Sequence, residues 1–107
     1  MRLFEYARAA DAREALERFR PGTMYLGGGT NLVDLMRLGV ARPDSLIDVT
    51  RLPYDTIDAD GDGDGLRIGA AVRNSDLAAH PAVRERYPVL ARAVLSGASG
   101  QVRNIAQ

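Results

Sequence analysis

The sequence contains no cysteine and no lysine. Without cysteine, these residues form no disulfide, no thiolate nucleophile and no cysteine-bound iron–sulfur cluster. Without lysine, they provide neither a Schiff base nor the phosphate-binding lysine of a P-loop. Any redox cofactor in this chain is therefore expected to be held non-covalently.

An excess of charge and long apolar runs are also lacking. Fourteen arginines balance fourteen acidic residues, so the chain has no overall field that would attract nucleic acid or an anionic membrane. No apolar run approaches the length of a signal-peptide core or a membrane span. An apolar fraction of 46% and a charged fraction of 26% are instead typical of a folded domain with a modest core.

The first half of the chain shows three strand-like segments that alternate with two helical ones. This order predicts a small α+β or α/β unit with a three-stranded sheet. The strands are predicted around Phe4 and Tyr6, over 23–26 and over 46–49. A helix over 12–19 begins at the N-cap Asp11, and a short buried helix over 32–38 is capped by Thr30 or Asn31.

The second half predicts a hairpin followed by helices. Segments 56–58 and 66–69 flank a glycine- and aspartate-rich tip. Asn74 or Ser75 is expected to cap a helix over 76–79, and His80-Pro81 to interrupt the chain. A helix is predicted from Pro88 to Leu95, after which residues 96–100 break the helical pattern.

The predicted hairpin tip partly matches a calcium-binding loop. Its aspartates and Gly63 fit the first half of an EF-hand loop, but Gly69 stands where that loop needs a bidentate glutamate. We therefore expect a disordered tip over 58–64 with no calcium site. No metal ligand and no catalytic residue is expected in the chain, including its only histidine, His80.

The most informative segment is 26–32, which reads Leu-Gly-Gly-Gly-Thr-Asn-Leu and leads from a predicted strand into a predicted helix. Glycines leave the backbone N–H groups open to a ligand, and the start of the helix adds a positive end. Gly28 is expected in a left-handed turn that a branched side chain would block. The loop is therefore a candidate site for a diphosphate.

Known phosphate loops do not fit this segment. Leu32 stands where the dinucleotide-binding fingerprint has its third glycine, and a Walker loop needs lysine. A tight turn between strand and helix explains the glycines equally well. Two alternatives stay open: a small interaction module with a structural glycine turn, and a domain that binds a simple phosphate compound.

Two longer strings resemble one family. Segment 26–36 resembles the first flavin-binding loop of the FAD-binding subunits of molybdenum hydroxylases, the xanthine, aldehyde and carbon monoxide dehydrogenase family. Segment 99–106, Ser-Gly-Gln-Val-Arg-Asn-Ile-Ala, resembles the stretch that leads into this family's second glycine loop. Weaker strings at 4–6, 46–49, 66–70 and 74–77 agree. Segment 73–81 is similar to bacterial subunits with an additional iron–sulfur insertion, which would lie beyond Gln107.

The resemblance implies an α+β fold, the N-terminal subdomain of a vanillyl-alcohol-oxidase-type (PCMH-like) FAD-binding domain. It implies a small three-stranded sheet with helices, then a hairpin and C-terminal helices. The first subdomain would span 1–52, and 53–107 would begin a truncated second one. Two such subdomains clamp FAD in this fold.

The resemblance also implies the residues that contact FAD. Gly28, Gly29, Thr30 and Asn31 would lie closest to the diphosphate and ribityl chain, flanked by Leu26, Gly27 and Leu32, while Gln101 and Asn104 would approach the flavin from the other side. Gln107 stands where the family has threonine or serine, and the second glycine loop is absent. Half of the cofactor site is therefore expected to be missing.

The implied function is electron transfer from iron–sulfur clusters through FAD to an external acceptor. The molybdenum cofactor and the iron–sulfur clusters are expected on partners, a large molybdenum subunit and a small [2Fe–2S] subunit. The truncated chain alone is expected to be inactive and to self-associate. Its expected compartment is the cytoplasm, or the periplasm if it is exported with a partner.

Overall fold

The computed structural model describes residues 3–59 and 65–107. The chain divides into two compact units, residues 1–53 and 54–107, which are described in turn. Residues 60–64, most of the predicted hairpin tip and calcium-like loop, lie outside the described residues. No helix in the described part is long and apolar enough to cross a membrane.

The first unit is a parallel three-stranded sheet with one helix in each crossover. Its strands have the order β1-β3-β2, so the last strand lies in the centre. Parallel neighbours need such crossover connections, which is why helices separate the strands in the sequence. The elements in chain order are β1 (Glu5–Arg8), α1 (Ala12–Glu17), β2 (Thr23–Leu26), α2 (Leu32–Arg37) and β3 (Ser45–Asp48).

Helix α1 begins where the sequence predicts and ends earlier. The Asp11 carboxylate accepts a hydrogen bond of 2.7 Å from the Glu14 N–H, which caps the first turn. The helix ends at Glu17 rather than Phe19. The Arg20 guanidinium donates to the carbonyl of Glu17 at 2.7 Å, so a side chain rather than another helical turn satisfies that group.

The core of the first unit lies between α1 and the sheet. Its buried cluster consists of Ala9, Ala15, Ile47 and Leu52. The Tyr25 hydroxyl donates to the Ala15 carbonyl at 2.9 Å, which ties β2 to α1. Small side chains on the helix permit this close approach.

The prediction that α2 is a buried helix is wrong for most of its residues. Met36 is its only buried residue, whereas Leu38 just after the helix is 77% exposed. A dense apolar segment is buried only where another element covers each side. Among the described residues of this unit, none buries the outer side of α2, where Val33 is 37% exposed.

The second unit is an antiparallel pair of strands followed by four helices among the described residues. Gly69 follows the pair, and a Cβ there would lie 2.1 Å from the Tyr54 carbonyl oxygen, so the close approach requires glycine. The elements are β4 (Ile57–Ala59), β5 (Leu66–Ile68), α3 (Asn74–Ala79), α4 (Pro81–Arg86), α5 (Pro88–Ser96) and α6 (Gly100–Arg103).

Helices α4 and α6 were not predicted from the sequence. The His80-Pro81 pair separates two helices, because His80 Nδ1 accepts from the Ala82 N–H at 3.2 Å and Pro81 begins α4. Ser99, in a segment interpreted as a break, caps α6 by accepting from the Val102 N–H at 3.2 Å. The expected Asn74 or Ser75 cap of α3 is also wrong, since Arg73 holds that position without a side-chain bond.

Candidate cofactor-binding site

The glycine loop connects β2 to α2 and is fixed at both ends. The Leu26 carbonyl accepts from the Val49 N–H at 3.0 Å, which joins the end of β2 to the chain leaving β3. The Gly29 carbonyl accepts from the Val33 N–H at 3.1 Å, which begins the helix. Residues 27–31 therefore form a short loop with a defined start and end.

The backbone N–H groups of this loop are not used in the hydrogen bonding of the described structure. Among the described residues, none accepts a hydrogen bond from the N–H groups of residues 27–31. Buried or half-buried backbone donors are normally paired, and consecutive free ones form a concave site for an anion. The loop therefore presents a row of neutral donors to an external ligand.

The left-handed turn lies at Gly29 rather than at Gly28. Gly29 has a φ of +80°, and Gly28 is not in the positive-φ region. A Cβ at Gly29 would lie 3.2 Å from Cγ2 of Val33. Gly29 is therefore needed for the backbone path, whereas Gly28 has no conformational need for glycine.

The two polar side chains of the loop do not cap α2. Asn31 occupies the N-cap position, but its side chain makes no capping bond, and Thr30 makes none with the described residues. Both residues are exposed. The expected cap is therefore wrong, and both side chains are free to contact a ligand beside the loop. Because α2 has only six residues, the N–H groups of the loop matter more than a helix dipole.

A buried carboxylate that the sequence analysis missed lies next to the base of this loop. Asp48 ends β3 and pairs with Leu26, the last residue of β2. Its carboxylate accepts from the Tyr6 hydroxyl, and from the N–H and hydroxyl of Thr50 at 2.8 and 2.5 Å. Arg8 Nε lies 3.5 Å away. The signal available in the sequence was a charged residue among the apolar residues of the strand predicted over 46–49.

These contacts decide the charge of Asp48. Burial raises its pKa, but the hydrogen bonds from Thr50 and Tyr6, together with the positive charge of Arg8, outweigh burial and lower the pKa to about 2. The carboxylate is therefore ionised at neutral pH. It links β1, which contributes Tyr6 and Arg8, to the chain that follows β3, where Thr50 lies.

The Asp48→Asn substitution is expected to remove a pH-dependent part of the stability. The pKa of Asp48 in the folded chain lies below the ordinary 3.8, so its charge stabilises the fold above about pH 4 and this contribution is lost as the pH falls toward 2. Near neutral pH, the variant should lose about 1–3 kcal/mol. Denaturant titrations at fixed protein concentration, repeated from pH 7 to about pH 2, measure the free energy of unfolding of the wild type and of the variant. If the difference in free energy of unfolding between wild type and variant stays constant down to pH 2, this role of Asp48 is contradicted.

The other predicted site residues lie together in the second unit. Gln101 is on α6 and Asn104 is its C-cap residue, and both are exposed. They line one open depression of about 560 Å³, whose wall also includes Ser75, Arg84, Leu95 and Arg103. The structure thus brings Gln101 and Asn104 to one surface. Among the described residues, no cluster of histidine and acidic side chains could hold a metal ion.

The family model of the FAD binding domain in molybdopterin dehydrogenase matches residues 2–107. The chain belongs to this family. The match confirms the predicted family, and it confirms FAD as the cofactor of that family. It spans both the glycine loop and the 99–106 segment, the two strings on which the resemblance rested.

Relatives and solved structures agree with this assignment. The aldehyde oxidoreductase FAD-binding subunit PaoB of Escherichia coli (strain K12) is 54% identical over 106 residues, which cover 97% of this chain and 33% of that subunit. The carbon monoxide dehydrogenase medium chain of Hydrogenophaga pseudoflava is 36% identical over 104 residues, 94% of this chain and 36% of the relative. The chain spans about a third of the length of these curated relatives.

The fold of the chain is also that of a solved carbon monoxide dehydrogenase structure. A structure of the Hydrogenophaga pseudoflava carbon monoxide dehydrogenase that lacks the Mo-pyranopterin moiety of its cofactor superimposes with a TM-score of 0.89 at 35% identity. The superposition covers 97% of this chain and 37% of that one. The predicted α+β fold class is therefore confirmed.

The glycine loop fits the diphosphate of FAD. A diphosphate offers anionic oxygens, and the loop offers free N–H donors on residues 27–31 with no carboxylate among them. The hydroxyl of Thr30 and the amide of Asn31 add further donors at the exposed edge. When bound, FAD supplies the electron-transfer chemistry, and the chain supplies binding and orientation.

Proposed function

We propose that this sequence forms the N-terminal part of the FAD-binding, electron-transferring subunit of a molybdenum-containing dehydrogenase. The observation that carries the proposal is the glycine loop with its unpaired N–H groups, in a chain that belongs to an FAD-binding family. Electrons would pass from iron–sulfur clusters through FAD to an external acceptor. The sequence alone, as a third of such a subunit, would be inactive.

The proposed contacts follow the geometry of each unit. Gly28, Gly29, Thr30 and Asn31 hold the diphosphate and the ribityl chain, while Leu26, Gly27 and Leu32 flank them. Gln101 and Asn104 are proposed to contact the flavin end, because both are exposed on one depression and carry amide groups that donate and accept hydrogen bonds.

The proposed substrate is an aldehyde, oxidised on another subunit. The name of the 54% identical relative, an aldehyde oxidoreductase subunit, supports an aldehyde over xanthine. The proposed partners are a large subunit with the molybdenum cofactor and a small [2Fe–2S] subunit. The proposed compartment is the cytoplasm, or the periplasm if the assembly is exported.

The two alternatives from the sequence gain no support. An interaction module needs no free N–H groups in its glycine turn, yet the loop has them. A domain for a simple phosphate compound does not account for the 99–106 segment, which the family match includes.

Anaerobic reduction of the assembled enzyme tests the proposed function. The intact subunit is purified with its two partners, and an aldehyde or xanthine is added without an acceptor. We expect an aldehyde to bleach the flavin absorbance near about 450 nm. Bleaching by xanthine alone would correct the substrate class. A flavin that neither compound reduces, while dithionite does, would contradict the electron-transfer role.

A further inference from the structure

The guanidinium of Arg103 lies against the C-terminal end of α5. Its Nη1 donates to the carbonyls of Leu95, Gly97 and Ala98 at 3.3, 2.8 and 2.9 Å. The last carbonyls of a helix have no partner within the helix, and a cationic donor suits them in both geometry and charge. Leu95 lies in the last turn of α5, whereas Gly97 and Ala98 belong to the turn between α5 and α6. Since Arg103 belongs to α6, these bonds fasten α6 to the end of α5 and to the connecting turn.

The segment that Arg103 holds would be weakly ordered by itself. Helix α6 has four residues, and a single helical turn is unstable without outside contacts. The preceding turn contains Ala98 at a φ of +52°, a left-handed conformation that is unfavourable for a residue with a Cβ. Outside bonds must therefore maintain both the turn and the helix.

Other bonds fix the remaining ends of this segment. Ser99 caps α6, and the Ala106 carbonyl accepts from the Asn74 N–H at 2.7 Å, which attaches the chain after α6 to the start of α3. Arg103 supplies the link to α5. Gln101 and Asn104 lie within the same turn or directly after it, so their positions depend on these attachments.

We propose that Arg103 is a positioning residue for FAD. By holding α6 against the Leu95 carbonyl of α5 and two carbonyls of the connecting turn, it fixes the direction in which Gln101 and Asn104 face the cofactor. This inference rests on the proposed function, because it assumes that those two residues contact the flavin end. The Nη1 group of Arg103 serves the protein backbone, so its role is exerted through its neighbours.

The test is a double-mutant cycle on FAD binding in the intact subunit. Arg103→Met is combined with Asn104→Ala, and the Kd for FAD is measured by titrating the deflavinated protein. Arg92→Met is the matched control, because Arg92 is exposed on α5 and bonds to no described residue. We expect Arg103→Met to raise the Kd about tenfold and Arg92→Met to leave it within about twofold.

The double variant distinguishes positioning from general stabilisation. If Arg103 acts through Asn104, the pair together should raise the Kd about as much as the larger single effect. Arg103→Lys, which keeps a cation but loses the planar fork, should fall between wild type and Arg103→Met. If Arg103→Met does not fold, Arg103→Lys takes its place in the same cycle.

The results separate a failure of the positioning role from a failure of the proposed cofactor contacts. Additive effects, or a lowered melting temperature with an unchanged Kd, would overturn the positioning role. If Gln101→Ala and Asn104→Ala raise the Kd but Arg103→Met does not, only this inference fails. If none of these three substitutions changes the Kd, both the positioning role and the proposed cofactor contacts of the second unit are contradicted.

Discussion

The Gly28→Val substitution is expected to strip FAD from the intact subunit, with a Kd raised at least about hundredfold. A branched side chain would stand over the free N–H groups of residues 27–31, where an oxygen of the diphosphate must approach. Folding should change little, because Gly28 does not occupy the positive-φ region. The measurement is flavin retained through purification, followed by FAD titration of the apoprotein.

Gly29→Ala provides the contrast at the neighbouring position. Its φ of +80° and the 3.2 Å approach of a Cβ to Val33 mean that alanine there strains the fold, at a cost of about 1–2 kcal/mol. The two variants thus separate occlusion of the cofactor from distortion of the loop. A Gly28→Val subunit that purifies with a full complement of flavin would show that the loop does not hold the diphosphate.

The isolated 107-residue chain is expected to bind FAD weakly or not at all. It spans about a third of the length of its relatives, so contacts from the remainder of a subunit would be lost. The cofactor would still give up its translational and rotational freedom, a cost of roughly 4–15 kcal/mol. One loop of N–H donors does not overcome that cost.

The same chain is expected to self-associate. Leu38 and Val40 after α2 are 77% and 71% exposed, and apolar patches beyond a few hundred Å² favour association. Light scattering should therefore report an oligomer, and the absorbance spectrum from about 350 to 500 nm should show no flavin. A yellow monomer with one FAD per chain would contradict the view that half of the site is missing.

Local features of the fold could be predicted from the sequence. Strand β2 has the predicted bounds, and Asp11 caps α1 as expected, because both depend on residues within a few positions. The glycine loop was located for the same reason. Its left-handed residue was misplaced by one, since three consecutive glycines give no signal about which of them takes the turn.

Features that depend on distant residues could not be predicted. Asp48 is held by Tyr6, 42 positions earlier in the chain, and a strand pattern cannot show that a hydroxyl will meet its carboxylate. The burial of α2 was overestimated because apolar content does not show which elements cover a helix. Arg103 entered the sequence analysis only as part of the 99–106 segment, and its role depends on carbonyls of α5 and of the following turn, which the sequence pattern does not reveal.

Hydrogen–deuterium exchange of the backbone amides of residues 27–31 tests the central claim most directly. In the deflavinated intact subunit, these N–H groups should exchange rapidly, because no described residue accepts from them. On saturation with FAD, their exchange should slow markedly, whereas the exposed outer face of α1 should not change. Equally rapid exchange of residues 27–31 with FAD fully bound would contradict the assignment of this loop to the cofactor.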